Sequence, residues 1–208
     1  MPRLRCAAAL LALTTVSSLA QAAPKLTTLY SFKGGHDGAA PVGRLLAIGH
    51  ALSGATAWGA LIHQPKNYDP GNGSLFAIDL SSGAETVLYR FDYQFNGPRH
   101  DARGPAGGLV NVGGVLYGAS VYGGRADYGT LFSFNLATGA EAVLHSFTTE
   151  GIGWASELTL YHASLYGVMP DDGKYSGGLA FKYDPTLRKY SPIYSFARIR
   201  KVYCLYRI

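Results

Sequence analysis

Short apolar runs recur along this chain, separated by glycine-rich punctuation, and their spacing is the strongest signal it carries. Four runs end in the same phrase: Leu29-Tyr30-Ser31-Phe32, Leu88-Tyr89-Arg90-Phe91, Leu144-His145-Ser146-Phe147 and Ile193-Tyr194-Ser195-Phe196. Their phenylalanines lie 59, 56 and 49 positions apart. After the first two phrases comes Pro-x-Gly, at Pro41-Val42-Gly43 and Pro105-Ala106-Gly107; the third unit departs, with Gly151, Gly153 and Trp154. A Leu-x-Gly step follows in each, at Leu52-Ser53-Gly54, Leu116-Tyr117-Gly118 and Leu165-Tyr166-Gly167. A glycine-led aromatic run comes next: Gly73-Ser74-Leu75-Phe76, Gly129-Thr130-Leu131-Phe132 and Gly178-Leu179-Ala180-Phe181. Two units then turn at Ser82-Gly83-Ala84-Glu85 and Thr138-Gly139-Ala140-Glu141, where the third has Asp184-Pro185-Thr186-Leu187.

In the middle unit the runs predict strands over 106–112, 115–121, 129–136 and 141–147. Gly113-Gly114 and Thr138-Gly139 are hairpin-type turns, because glycine tolerates positive φ. Thr130 to Asn135 alternates apolar and polar side chains at period two, the pattern of a half-buried strand. No window shows sustained helical periodicity. Four antiparallel strands in roughly 50 residues is the size of a propeller blade, and so small a sheet must bury its faces on neighbours. The predicted fold is therefore all-β: an incomplete β-propeller-like array of about three four-stranded antiparallel blades (units 33–91, 92–147 and 148–196), preceded by a lone strand at 26–32. That lone strand expects three partners from the other end of the chain, but 197–208 is basic, glycine-free and unlike the repeat. Three units also fall short of the four to eight that close a ring. A fragment, a truncated product or one piece of an assembly is expected, self-associating through open strand edges; an open solenoid-like array or a β-sandwich is the alternative.

The composition fits many short strands, with 27 Gly and 10 Pro, and 15% charged residues exclude charge-driven disorder. The formal charge of +5 is misleading. Arg3, Arg5, Arg198, Arg200, Lys201 and Arg207 sit at the two ends, so Lys25 to Phe196 carries 12 basic against 13 acidic side chains, a net of −1. Without clustered cations, nucleic acid is not expected as a partner. At the N-terminus, Arg3 and Arg5 precede an apolar run from Cys6 to Ala20 and the small-residue site Ala20-Gln21-Ala22. This reads as a secretory signal over 1–22, cleaved after Ala22. The mature chain is then secreted or periplasmic and has no transmembrane segment. Only Cys204 remains after cleavage, so no intrachain disulfide is expected.

The succession of Pro-x-Gly, Leu-Tyr-Gly, Gly-x-Leu-Phe and Leu-Tyr-x-Phe over Leu26 to Phe196 resembles the GloVer tandem repeat, most specifically in Gly104 to Phe147. The resemblance implies an exported bacterial, propeller-like repeat protein of the cell envelope, and it transfers no catalytic residues.

Repetition also sorts the candidate residues. Phe32, Phe91, Phe147 and Phe196 recur at one position, Phe76, Phe132 and Phe181 at another, so they are expected to fill equivalent places between sheets, with Gly118 and Gly129 as structural glycines. Trp58, Tyr68, Tyr122 and Trp154 break the regularity near expected loop ends and are the candidate ligand-binding residues, for a carbohydrate, peptide or envelope component. Asp69, Asp127 and Asp172 precede the repeat glycines in turn-rich loops and are candidate oxygen ligands for calcium; no other cofactor is expected. The six histidines do not fall at equivalent positions, which gives zinc little support. His36-Asp37 and His100-Asp101 read as solvated loop pairs. No Gly-x-Ser-x-Gly or phosphate-loop motif occurs. A non-catalytic binding module acting through its loops is the expected function. The alternatives are a secreted carbohydrate-active hydrolase or lyase using His100, Asp101 and Arg103, and a truncated remnant.

Overall fold

The computed structural model describes residues 25–60, 71–94, 100–148, 157–170 and 172–197. The signal segment, Tyr68, Asp69, Trp154 and the stretch from 198 onward lie outside the described residues. The described residues form three antiparallel sheets. The first contains β1 (Ala39–Ile48), β2 (Ala51–Trp58), β3 (Ser74–Asp79) and β4 (Glu85–Arg90) in sequence order. The second contains β5 (Ala102–Pro105), β6 (Val110–Val112), β7 (Val115–Gly123), β8 (Thr130–Asn135) and β9 (Ala140–Ser146), with β5 and β6 both pairing along β7. The third contains β10 (Thr159–Tyr161), β11 (Ser164–Met169), β12 (Ser176–Asp184) and β13 (Lys189–Ala197). Each strand pairs within its own sheet, and no sheet closes on itself, which is an open propeller-like array. No helix long and apolar enough to cross a membrane occurs among the described residues.

The apolar core lies between sheets. One cluster joins the first and second through Ala55, Leu75, Phe91, Leu109, Leu116 and Phe132. The other joins the second and third through Tyr117, Leu131, Phe147, Leu158, Leu165 and Phe181. The middle sheet is thus covered on both faces, and this corrects the half-buried reading of β8. Leu131 and Phe132 point oppositely, as neighbours on a strand must, yet both are fully buried because each meets a different sheet.

One steric unit repeats three times. A Cβ on Gly54, Gly118 or Gly167 would lie 2.6, 2.5 and 2.5 Å from the ring tip of Phe76, Phe132 and Phe181. Glycine in Leu-x-Gly is required by the ring that lies over it. Across each junction a preceding phenylalanine meets that same ring: Phe32 on Phe76 at 4.8 Å, Phe91 on Phe132 at 5.1 Å and Phe147 on Phe181 at 5.9 Å between centroids. The first two are edge-on, the arrangement the ring quadrupole favours.

Pro-x-Gly has its own cause. A Cβ on Gly43 would lie 2.1 Å from the backbone N of Gly108, and one on Gly107 would meet Glu157, whose Oε1 accepts the Arg44 N–H at 3.1 Å. The innermost strands of all three sheets converge here, too closely for side chains. This convergence interrupts the inner strand of the middle sheet, which runs as 102–105 and 110–112 instead of the expected 106–112.

Two further expectations change. Residues 26–32 form no strand: the segment has no sheet of its own to pair with, and only its rings are anchored. Phe196, expected between sheets, is 45% exposed, because it lies on the uncovered face of the last one.

The two ends of the sheets differ. At one end the strands are joined by tight turns, in which Asp79, Asn135 and Asp184 each accept the N–H groups two and three residues on. Four residues past each stands the left-handed position, Gly83, Gly139 and, in the third, Arg188. The other end carries the longer connections 59–73, 91–101, 124–129, 147–158 and 170–175.

Candidate functional site

The long-loop end brings together one repeat position from two sheets, Trp58 and Tyr122, each four residues past its Leu-x-Gly glycine, Gly54 and Gly118. Trp58 ends β2 and Tyr122 lies near the end of β7, on different sheets, yet their rings sit 6.2 Å apart at 36°. Arg103 on β5 is the register partner of Tyr122, and its guanidinium carbon lies 4.6 Å from the Tyr122 centroid and 5.3 Å from that of Tyr93. An arginine held between two tyrosine faces gains cation–π stabilisation and loses rotational freedom. Asp127 fixes it further, accepting from Arg103 Nη2 at 2.8 Å.

Asp127 itself is strongly constrained. It adopts φ +58°, in the left-handed region that Asp and Asn tolerate better than most residues, and its Oδ1 accepts the Gly123 N–H at 2.7 Å. The Tyr93 hydroxyl also bonds to it, and burial, with the carboxylate beside it, raises the Tyr93 pKa. Arg103 Nε is buried and has no protein partner. The result is a half-buried aromatic surface, Trp58 with Tyr122, beside a paired Arg and Asp. Gly104 keeps its centre open: a Cβ there would stand 3.5 Å from the Tyr122 ring and 3.8 Å from Trp58.

The second sheet also holds an acid pair, Asp101 with Glu141. Asp101, 9% exposed, accepts the Tyr89 hydroxyl at 2.8 Å and the N–H groups of Asp92 and Ala102 at 2.9 and 2.8 Å. Glu141 bonds to Asp101, and burial, then the Asp101 charge, pushes its pKa up to about 9. It is therefore protonated at neutral pH. The first sheet repeats the arrangement: Tyr30 donates to Asp37 at 2.9 Å, and burial beside Asp37 raises Glu85. In the third, Tyr190 takes the glutamate position and stacks flat on His145 at 3.8 Å. The His100-Asp101 pair is thus not a solvated loop pair, since its carboxylate is an internal anchor.

The structure therefore unites Trp58 and Tyr122 and adds Tyr93, Arg103 and Asp127. Tyr93 was legible only as one more tyrosine, because nothing in its spacing marks it. His100, Asp101 and Arg103 occupy three different surroundings. His100 lines a groove of about 480 Å³ with Arg125, His145, Ser146 and Thr148, whereas Arg103 turns to Asp127. Asp172 accepts the Gly173 N–H at 2.6 Å, and among the described residues no three His, Cys, Asp or Glu side chains gather as a metal site would need.

No curated protein matches the chain. The family model described as Gloeobacter/Verrucomicrobia repeat matches it twice, over residues 13–160 and 67–204. The two matches begin 54 residues apart and end 44 residues apart, a shift of about one repeat unit. With three sheets built on one steric pattern, the chain is a member of the Gloeobacter/Verrucomicrobia repeat family.

Proposed function

We propose that this protein is an exported, non-catalytic binding module that takes a carbohydrate at the long-loop end, on the surface formed by Trp58 and Tyr122. The observation that carries the reading is the 6.2 Å pairing of those rings beside Arg103 and Asp127. Sugar rings offer an apolar C–H face and a rim of hydroxyls. The aromatic pair suits the first, and the Arg–Asp pair offers the donors and acceptors that orient the second. Arg103 is held on both sides, so little side-chain entropy is lost when it bonds a ligand. Loops on a rigid sheet scaffold are where such sites ordinarily lie. The N-terminal segment 1–22 delivers the module to the envelope or beyond.

An array of neutral and acidic oligosaccharides, followed by calorimetric titration of the best binder, tests the reading. Trp58→Ala and Tyr122→Ala should each weaken binding at least about tenfold, as truncation of a central aromatic anchor does, with the melting temperature nearly unchanged. Asp127→Asn should weaken it as well, by releasing Arg103. Absence of binding across the array by a folded sample, or binding indifferent to Trp58 and Tyr122, would reject the proposal.

A further inference from the structure

The two outer faces of the array are unequal to the faces inside it, and the difference is measurable row by row. In the first sheet the cross-strand row Ala55, Leu75, Tyr89 faces the second sheet, and Ala55 and Leu75 are 1% and 0% exposed. In the second the same row is Ala119, Leu131, His145, with Ala119 and Leu131 5% and 0% exposed. In the third it is Val168, Ala180, Tyr194, and here Val168 is 45% and Tyr194 61% exposed. The opposite end mirrors this: Leu109 and Leu158 are each 1% exposed where their counterpart Leu45 is 47%.

We infer that a second copy of this chain covers these faces head to tail, the last sheet of one copy seating on the first sheet of the next. The contact continues the internal junction. In each junction a Tyr/His-x-Phe pair, ring against ring, lies on the phenylalanine of the following sheet. Tyr194 and Phe196 are already set in that geometry, 4.9 Å apart at 75°, against 5.2 Å and 80° for Tyr89 and Phe91. They stand on a paired strand and lack only the sheet to cover them.

The receiving socket, Phe76, is held by Phe32 of its own chain at 4.8 Å. Phe32 belongs to the segment without a strand ladder, so only side-chain contacts and the Asp37 hydrogen bonds retain it there. Residues 25–33 therefore act as a stand-in for the final strand of a preceding unit, displaced when the Tyr194–Phe196 strand of another copy arrives. A contact between two different faces does not close in a pair. It extends into longer assemblies or a ring.

Sedimentation velocity of the full chain over a hundredfold concentration range tests this. The wild type should form species larger than a dimer as concentration rises. Phe196→Asp and Leu45→Asp should each be monomeric, since each removes one of the two faces. Mixed in equal amounts they should give a one-to-one dimer and nothing larger, the signature of a heterologous contact. Phe32→Ser should shift association to lower concentration by vacating the socket. Circular dichroism identifies a variant that has lost its fold, and Leu45→Ser then replaces Leu45→Asp. A wild type that stays monomeric throughout, self-association that survives Phe196→Asp, or a mixture that stays monomeric overturns the inference. Carbohydrate binding does not enter any of these readouts, so the two proposals fail separately.

Discussion

Gly118→Ala is expected to lower the unfolding free energy by about 3 kcal/mol and the melting temperature by roughly 6–12 °C. The added Cβ would stand 2.5 Å from Phe132 Cζ and 3.0 Å from Leu109 Cδ2. Neither neighbour can yield: Phe132 and Leu109 are 0% and 1% exposed, and the Phe91 ring holds Phe132 edge-on from the other side. Gly118 is not among the positive-φ glycines, so the cost is one of space and not of backbone conformation. Gly54→Ala should cost less, although its Cβ would meet Phe76 at 2.6 Å, because half-exposed Leu45 can swing outward. Phe132→Leu alone should cost about 1–1.5 kcal/mol, and combined with Gly118→Ala should be less harmful than the two losses added, since shortening the ring makes room for the methyl. Thermal denaturation of the four variants measures this. A Gly118→Ala protein melting within about 2 °C of the wild type would show that ring and glycine are not packed as described.

The same pair explains what could be read from the sequence. Leu-x-Gly and Gly-x-Leu-Phe were visible as separate recurring phrases, and repetition alone said they were structural. That one is the footprint of the other follows only from the register Gly118↔Phe132, repeated as Gly54↔Phe76 and Gly167↔Phe181. Alternation along Thr130 to Asn135 suggested a solvent face, because a single strand carries no information about how many sheets will flank it. The phrase Leu29-Tyr30-Ser31-Phe32 suggested a strand, because the text matches its siblings; the missing element is a hydrogen-bonding neighbour, which no local pattern encodes. At the site, Trp58 and Tyr122 read as irregular, yet each stands four residues past its Leu-x-Gly glycine, Gly54 and Gly118, and they meet because their sheets are neighbours. Asp127 reads as a candidate calcium-loop carboxylate because turns and metal loops use the same residue types; that it also faces a guanidinium follows only from the fold, since Arg103 stands 24 positions earlier. His-Asp at 36–37 and again at 100–101 was the trace of the Tyr–Asp anchors, readable as such only once Tyr30 and Tyr89 are seen to reach them.

That anchor also sets the expected response to pH. Glu141 titrates near 9 in the folded protein and near 4.5 when unfolded, so between those values the folded state holds a proton that the unfolded state releases. Stability from this group is fully present below about pH 4.5, falls as pH rises through the window, and is lost by about pH 9. The limiting slope for one proton is about 1.4 kcal/mol per pH unit. Glu141 is partly exposed, which screens the effect, so a loss of about 2–3 kcal/mol between pH 5 and pH 8 is expected. Glu85, raised in the same direction beside Asp37, adds to the trend. Asp79 acts oppositely, since bonds from Ser81 and Ser82 hold it near 2, so its contribution is lost only in strong acid. Glu141→Gln keeps the shape and a donor toward Asp101 but cannot ionise. Urea denaturation at pH 5, 6, 7 and 8 should show the wild type weakening steadily while the variant changes little, the two nearly equal at pH 5 and the variant the more stable at pH 8. Parallel slopes for the two proteins would mean that Glu141 is already ionised at neutral pH and that the Asp101 anchor is held by Tyr89 and the backbone alone.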